Sequence, residues 1–308
     1  MKLPCRILAI GSILLCTQLV FACSDWGKNS VDVYPRKGPV SERGYQAILA
    51  TTDIAEGSNR FAFVLTSSQG FVMTGPVYVS IFELDSPLKK GTYKANSVEW
   101  PVQNRNMYVA NLIAISKGKW NAVIEFPHNQ GNQRVEIPFR VRDKPIAPGV
   151  GEFAPVVNSK TLDDVDDMSE LSTGTIEQLE LYRRSIAEVL QSDRPSVISF
   201  SSPAFCRNEV CGPQVQVIAE LYDKKNGSVF FVHSDVYDNP KEIKGNLDVG
   251  RFSKAFLAWN LPTFQWTFIV GCDGRVLKRF QGFVGFEELA NELDKLLTKY
   301  ESETLCIT

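Results

Sequence analysis

The sequence predicts a two-domain protein in which an all-β domain precedes an α/β domain. The chain has 308 residues, of which 44% are hydrophobic, and this is enough to bury two cores. Short β-rich runs separated by Gly, Asn and Pro fill residues 44–142. From residue 176 onward, segments with helical spacing of apolar residues alternate with short apolar runs that are typical of buried strands.

Residues 44–142 show little helical periodicity. Apolar and polar residues alternate in many of the runs, as at Val77, Val79 and Ile81, which predicts strands with one buried face. The spacing of the runs favours an antiparallel sandwich of immunoglobulin-like type. The predicted strands are YQAILATT, RFAFVLTS, PVYVSIFEL, MYVANLIAI, KWNAVIEF and RVEIPFRV.

Residues 143–175 are rich in Asp, Gly and Pro and are interpreted as a charged linker. The α/β domain is predicted over 176–300, with a short tail over 301–308. Two βα units followed by a β hairpin and a last helix predict a small sheet with helices on both faces. The expected elements are a helix after the possible cap Thr175, strand 196–201, helix 212–225, strand 228–237, helix 249–260, strands 266–270 and 275–280, and a final helix from 286.

The N-terminus has the features of an export signal. Lys2 and Arg6 precede an apolar segment, 7–22, that is short for a membrane span and fits a secretory signal. The run VFAC, which ends at Cys23, resembles the lipobox of bacterial lipoproteins. This resemblance implies a signal peptide over 1–22, lipidation of Cys23, with palmitate among the attached chains, and a polar tether over 23–43. An ordinary cleaved signal or an uncleaved anchor is the alternative.

We therefore expect a protein of the cell envelope that is lipid-anchored to a membrane and faces the periplasm or the exterior. Its partners would be protein thiols and disulfides in that compartment. The net charge of −2 gives no electrostatic reason to expect nucleic-acid binding.

Four cysteines remain after removal of the signal and lipidation of Cys23: Cys206, Cys211, Cys272 and Cys306. An even number in an exported chain favours disulfides over a metal cluster. The last strand leads away from the turn that contains Cys272, and the final helix returns by about the same distance. We therefore predict a structural disulfide between Cys272 and Cys306, with two unrelated thiols as the alternative.

Cys206 and Cys211 are the candidate catalytic residues. They lie in the run SSPAFCRNEVCGPQ, directly after the apolar strand SVISF. Pro213 indicates that Cys211 lies at the first turn of a helix, since proline is favoured at the first helical position. The free N–H groups and the dipole at that end of a helix stabilise a thiolate. Cys211 is thus the expected attacking thiolate, and Cys206 would resolve the mixed disulfide.

The order of elements, with Cys-Gly-Pro at the first strand-to-helix junction, resembles the thioredoxin fold over 176–300. The loop PAFCRNEVCGP also resembles that of bacterial envelope proteins with a thioredoxin-like domain behind a β domain. Gln214 stands where a thioredoxin has its second cysteine, and Gln265 stands at the position of its cis-proline. Pro262 lies three residues earlier. The resemblance implies thiol–disulfide exchange, with Pro213, Pro262 and Gln265 as candidates for substrate-contacting loops.

Two other functions fit the same residues. In the first, the protein is a non-catalytic binding or scaffold lipoprotein, and Cys206–Cys211 is a structural disulfide. In the second, it resembles the Sco-type copper chaperones, with Cys206, Cys211 and His233 as the metal ligands, since soft thiolates suit Cu(I). The cysteine spacing is one residue longer than in that family. Apart from copper in this last alternative, we expect no cofactor.

Overall fold

The computed structural model describes residues 36–84, 88–100, 105–129, 131–205, 211–225 and 227–303, with side chains to residue 299. The chain divides into two compact units, 1–33 and 34–308, and the second contains all the described residues. The predicted signal peptide and Cys23 lie outside the described residues. Among the described helices, none is both long enough and apolar enough to cross a membrane.

The N-terminal domain is an antiparallel β sheet of eight strands, which confirms the predicted all-β character. The strands pair in the order β1-β2-β6-β5-β4-β7-β8, and β3 pairs with β2. They are β1 Gln46–Leu49, β2 Gly57–Ser67, β3 Gly70–Phe71, β4 Val77–Glu83, β5 Lys89–Glu99, β6 Asn106–Ile115, β7 Gly118–Pro127 and β8 Asn132–Val141.

This sheet is bent into a nearly closed barrel, with β1 near β8, rather than clearly into the predicted immunoglobulin-like sandwich. On one side, the Gly38 N–H donates to the Ala47 carbonyl and extends the sheet beyond β1. On the other side, the Glu56 N–H donates to the Arg142 carbonyl just after β8. A single apolar core fills the interior. Strands of a barrel and of a sandwich show the same alternation, and the sequence pattern therefore did not separate the two architectures.

The sequence pattern also missed β5, which lies between β4 and β6 in the sheet. Its residues, KKGTYKANSVE, are mostly polar, and Ala95 is the one fully buried residue among them. The backbone ladder to both neighbours holds this strand in place. A strand that contributes so little to the core carries no hydrophobic signal.

The C-terminal domain is a mixed α/β structure, as predicted. Its sheet has the order β10-β9-β11-β12, in which β9 and β10 are parallel and the other pairs antiparallel. The strands are β9 Ser196–Ser201, β10 Phe230–Asp235, β11 Trp266–Val270 and β12 Val276–Gln281. The helices are α1 Ile186–Leu190, α2 Cys211–Lys225, α3 Pro240–Ile243, α4 Lys254–Ala258 and α5 Phe286–Glu303.

Both faces of this sheet are covered. The apolar cluster on one face includes residues of α2 and α5, and the cluster on the other face includes residues of α1, α3 and α4. Short 3-10 turns complete the domain at Leu162–Asp164, Met168–Glu170, Leu179–Tyr182, Pro203–Phe205 and Leu247–Val249.

The helix predicted after Thr175 is interrupted. The chain instead forms the 3-10 turn that ends at Tyr182 and then begins α1 after Ser185. The Ser185 hydroxyl accepts from the Glu188 N–H, and the Glu188 carboxylate accepts from the Ser185 N–H. This capping box fixes a new helix start inside the predicted helix.

The segment predicted as a linker packs against the α/β domain. The Gly151 N–H donates to the Val276 carbonyl, and the Ala154 N–H donates to the Gly274 carbonyl. Residues 151–154 therefore continue the sheet beyond β12. Hydrogen bonds of this kind hold the backbone of this part of the segment against the domain.

A buried ion pair joins the barrel to the α/β domain. The Asp53 carboxylate, whose side chain is 0% exposed, accepts a 2.6 Å hydrogen bond from Nη2 of Arg279 in β12. The same carboxylate also accepts from the Ile146 and Ala147 N–H groups. The Asp53 carboxylate thus links the barrel to both the connecting segment and the α/β sheet.

A second ion pair and an apolar cluster extend this contact. Arg60 of β2 bonds Glu288 of α5 at 2.7 Å, and it also donates to the Phe283 carbonyl at 2.9 Å. Phe283 and Val217 of α2 belong to the same apolar cluster as residues on the outer face of β2 and β6. The barrel therefore lies beside the helix that begins at Cys211.

Candidate functional site

The cysteine loop connects β9 to α2. Every residue of β9 is buried, and the 3-10 turn Pro203–Phe205 follows it. Residues 206–210, and with them Cys206, lie outside the described residues. Cys211 is the first residue of α2 and forms one half of a disulfide. Its pairing with Cys206 stays a prediction from sequence.

Cys211 is fully buried, with 0% exposure. The sequence led us to expect Cys211 as the attacking thiolate. A sulfur that attacks or is attacked must be reached by its partner, and an enclosed sulfur in a disulfide is not. Cys211 thus lies at the start of the helix, as predicted, and its burial is unfavourable for a direct attack on a substrate, so its role as the attacking thiolate stays a prediction.

A chain of three buried side chains lies at the ends of β9 and β10. The Tyr182 hydroxyl bonds Nδ1 of His233 at 2.7 Å, and Nε2 of His233 bonds the Ser201 hydroxyl at 2.8 Å. Burial lowers the pKa of His233 to about 4, against the opposing effect of the bond to Ser201. Burial also raises the pKa of Tyr182. All three side chains are therefore neutral near pH 7.

A buried carboxylate ties the segment before the loop to the sheet. Asp235, at the end of β10, accepts from the Thr173 N–H at 2.7 Å and from the Thr173 hydroxyl at 2.9 Å. The Thr173 hydroxyl also lies 3.1 Å from that of Ser202 and accepts from the Ala204 N–H. Burial raises the pKa of Asp235 to about 6, although these hydrogen bonds and that from the Tyr237 N–H oppose the rise. Asp235 thus positions the turn that leads to the cysteines.

In the copper alternative His233 would be a metal ligand, but neither of its ring nitrogens is free. Both of its ring nitrogens are used by Tyr182 and Ser201, so coordination would break one of these bonds. Among the described residues, no group of three or more His, Cys, Asp or Glu side chains is arranged to hold a metal ion.

The predicted substrate-contacting residues have different environments. Pro213 lines a groove of about 270 Å³ beside the first turns of α2, together with Gly212 and Gln216. Pro262 is exposed, and Gln265 is 4% exposed. Neither Pro262 nor Gln265 follows a cis peptide bond, since within the described ranges that geometry occurs at Gly75–Pro76.

The two glutamines at the thioredoxin motif positions are both buried. Gln214 is 0% exposed, and its Oε1 accepts from the Val284 N–H at 2.8 Å. Its Nε2 has no hydrogen-bond partner among the described residues. Gln265 has no partner for either Oε1 or Nε2 in the same part of the chain. Buried polar atoms without a hydrogen-bond partner are uncommon and destabilising, so Gln214 and Gln265 are unusual positions in the interior.

We predict that Gln265→Met raises the free energy of unfolding by about 1–3 kcal/mol, because it removes two unpaired polar atoms from the interior. Urea denaturation measures the change. Gln281→Met is the matched control, since Gln281 is also 4% exposed but bonds Thr52, Asp53 and Thr263. The control should be destabilised. A loss of stability in both variants would contradict the prediction.

Cys272 lies in the turn between β11 and β12 and forms one half of a disulfide. Its predicted partner, Cys306, lies outside the described residues. The Cys272–Cys306 bond therefore remains a prediction.

Sequence reasoning missed the supporting residues of the site. Thr173 falls in the segment interpreted as a linker, and Tyr182 falls in the interrupted helix. For Asp235 a signal was present, because the strand FFVHSD places polar residues in an otherwise apolar run. A polar residue in a buried strand calls for a hydrogen-bond partner, which here is Thr173.

Comparisons with known proteins found partial similarity to solved structures. No protein-family model and no curated protein matches the sequence. The solution structure of a putative protein disulfide isomerase from Bacteroides thetaiotaomicron has 13% identity and a TM-score of 0.35, covering 51% of this chain and 95% of that chain. The C-terminal domain of a putative thiol-disulfide oxidoreductase from the same organism has 11% identity and a TM-score of 0.33, covering 49% of this chain and 97% of that chain. The chain is thus structurally similar to these domains over about half its length.

Proposed function

We propose that this protein performs thiol–disulfide exchange through Cys206 and Cys211. The observation that carries the proposal is the position of Cys211, a disulfide-bonded cysteine at the first residue of a 15-residue helix that follows a buried strand. The helix N-terminus stabilises the thiolate that forms when the disulfide opens. A good thiolate leaving group is what exchange requires of the sulfur that is released.

The burial of Cys211 supports the following division of roles between the two cysteines. A substrate thiolate attacks the sulfur of Cys206 and forms a substrate–Cys206 disulfide, while the Cys206–Cys211 bond breaks and its electron pair leaves on Cys211. A second substrate thiolate then attacks the substrate sulfur of this mixed disulfide and releases Cys206. The substrate dithiol is oxidised and the protein is reduced, and the reverse sequence reduces a substrate disulfide. This order is the opposite of the one expected from sequence, because the enclosed sulfur is Cys211.

We place this activity at the cell envelope. The support is the signal-like segment 7–22 and the lipobox-like run that ends at Cys23. A disulfide at Cys211 also fits an oxidising compartment. The partners in this proposal are envelope proteins with cysteines, and the lipid on Cys23 tethers the protein to a membrane.

Trapping tests the proposal. In the full chain, Cys211→Ser removes the sulfur that would resolve a mixed disulfide at Cys206, so mixed disulfides with envelope proteins should accumulate in cells and disappear on treatment with reductant. Acid-quenched extracts on non-reducing gels measure them. Cys206→Ser is the control and should trap far less. Absence of mixed disulfides in both variants would contradict exchange, and stronger trapping by Cys206→Ser would contradict the assigned order.

The second candidate function is a binding or scaffold protein with a structural disulfide. The full burial of Cys211 favours it, because inert disulfides are commonly enclosed. The hydrogen bonds of Asp235 to Thr173 also hold the neighbouring segment in place. The reduction potential considered in the Discussion separates this candidate from exchange.

A further inference from the structure

We infer that Gln214 donates a hydrogen bond to the sulfur of Cys211 when the disulfide is reduced. The inference rests on the proposed function, because it assigns a role in the opening of that disulfide. The carrying observation is a donor on the same buried helix face as the cysteine, for which the described part of the chain offers no acceptor.

The first step is the relative placement of the two side chains. The buried residues of α2 are Cys211, Gln214, Ile218 and Leu221, which form one stripe along the helix. Positions three residues apart on a helix are neighbours on its surface, with Cβ atoms about 5–6 Å apart. Gln214 is therefore the next buried side chain after Cys211 along this stripe.

The second step is the state of the Gln214 amide. The Val284 N–H donates to its Oε1 at 2.8 Å, which holds one end of the amide in place. The other end, Nε2, has no hydrogen-bond partner among the described residues and is shielded from water. A buried donor without a partner destabilises the state in which it occurs.

The third step is the difference between the two redox states of Cys211. A disulfide sulfur is neutral and a weak acceptor, whereas a thiolate is charged and a strong one. The Nε2 donor of Gln214 thus gains its partner on reduction. Gln214 should stabilise the reduced protein, lower the pKa of the Cys211 thiol and make the disulfide more oxidising.

The test measures the redox equilibrium of the full chain against glutathione. Two glutathione thiols reduce the protein disulfide to two thiols and become glutathione disulfide, so the electrons balance. Hydrogen bonds to charged groups contribute enough to change an equilibrium constant about tenfold to a hundredfold. Gln214→Leu should lower the constant for protein reduction by this factor, a fall of about 30–60 mV in potential. The pKa of the Cys211 thiolate, followed by its ultraviolet absorbance, should rise.

Two further variants keep the test decisive. Gln214→Glu retains an oxygen that accepts from the Val284 N–H but replaces the amide donor. It should therefore shift the equilibrium constant for reduction and the pKa of the Cys211 thiol in the same direction as Gln214→Leu. This variant serves as the test if the leucine variant does not fold. Glu220→Gln, at an exposed position of α2, is the control and should leave both quantities unchanged. Values for Gln214→Leu and Gln214→Glu within twofold of the control would overturn the inference.

Failure of this inference is distinguishable from failure of the proposed function. If Cys211→Ser traps mixed disulfides but the Gln214 variants keep the wild-type potential, exchange stands and the role of Gln214 is wrong. If the Gln214 variants shift the potential but nothing is trapped, Gln214 tunes a disulfide that does not exchange with proteins.

Discussion

Asp53→Asn should lower the free energy of unfolding by about 3–5 kcal/mol, the range for breaking a buried ion pair by removing one partner. The Asp53 side chain is 0% exposed and that of Arg279 is 15% exposed. Asparagine has nearly the same shape, but it leaves the Arg279 guanidinium without its counter-charge. Its NH2 group would also face the N–H donors of Ile146 and Ala147, which now bond the carboxylate.

Chemical denaturation, followed by both circular dichroism and tryptophan fluorescence, measures this effect. The matched control is Asp143→Asn, because Asp143 pairs with Lys117 at the surface with both side chains well exposed. Exposed pairs contribute about 0–1 kcal/mol, so the control should change little. Equal, small effects of the two variants would contradict the assignment of Asp53 as the junction between the barrel and the α/β domain.

The second large effect concerns the pH dependence of stability. His233 and Asp235 should change the free energy of unfolding with pH in opposite directions. The pKa of His233 is lowered from its usual 6.5 to about 4, so the folded state loses stability from this group as the pH falls through that window. The pKa of Asp235 is raised from its usual 3.8 to about 6, so the stability from this group is present at low pH and lost as the pH rises. A pKa shift of one unit corresponds to about 1.4 kcal/mol, so His233 and Asp235 each change the free energy of unfolding by about 3 kcal/mol over their pH range.

In the wild-type protein these two dependences largely cancel between about pH 4 and 6.5. In Asp235→Asn, the pH dependence that comes from His233 is no longer offset. We therefore expect the free energy of unfolding of this variant to rise by about 3 kcal/mol between pH 4 and 6.5, relative to wild type. His233→Gln should lose a similar amount over the same interval. Urea midpoints at several pH values test the slopes, which do not depend on the absolute stability of each variant. Slopes parallel to wild type in both variants would contradict the buried environments assigned to these groups.

Local sequence features predicted the elements that carry the site. The apolar run SVISF became β9, and Cys-Gly-Pro marked the start of α2. Both signals are short-range, since a buried strand needs apolar residues and a helix start tolerates proline. The alternation in the N-terminal runs likewise predicted most strands of the barrel.

Features that depend on long-range contacts were not predicted. Closure of the barrel depends on backbone bonds such as that from Glu56 to Arg142, which no residue type encodes. The burial of Cys211 depends on how α2 packs in its apolar surroundings, and a helix start alone does not determine exposure. Gln214 and Gln265 were recognised as departures from the thioredoxin motif. The folded chain alone shows that Nε2 of Gln214 and both side-chain polar atoms of Gln265 are buried without a hydrogen-bond partner among the described residues.

The reduction potential of the disulfide at Cys211 tests the central claim of thiol–disulfide exchange most directly. Equilibration of the full chain with glutathione, followed by alkylation and mass analysis of the peptide that contains Cys211, gives this value separately from that of Cys272. Structural disulfides have potentials below about −300 mV, whereas exchanging ones are more oxidising. We expect a value clearly above that boundary. A potential below it would contradict exchange and identify the disulfide as a structural element of a binding protein.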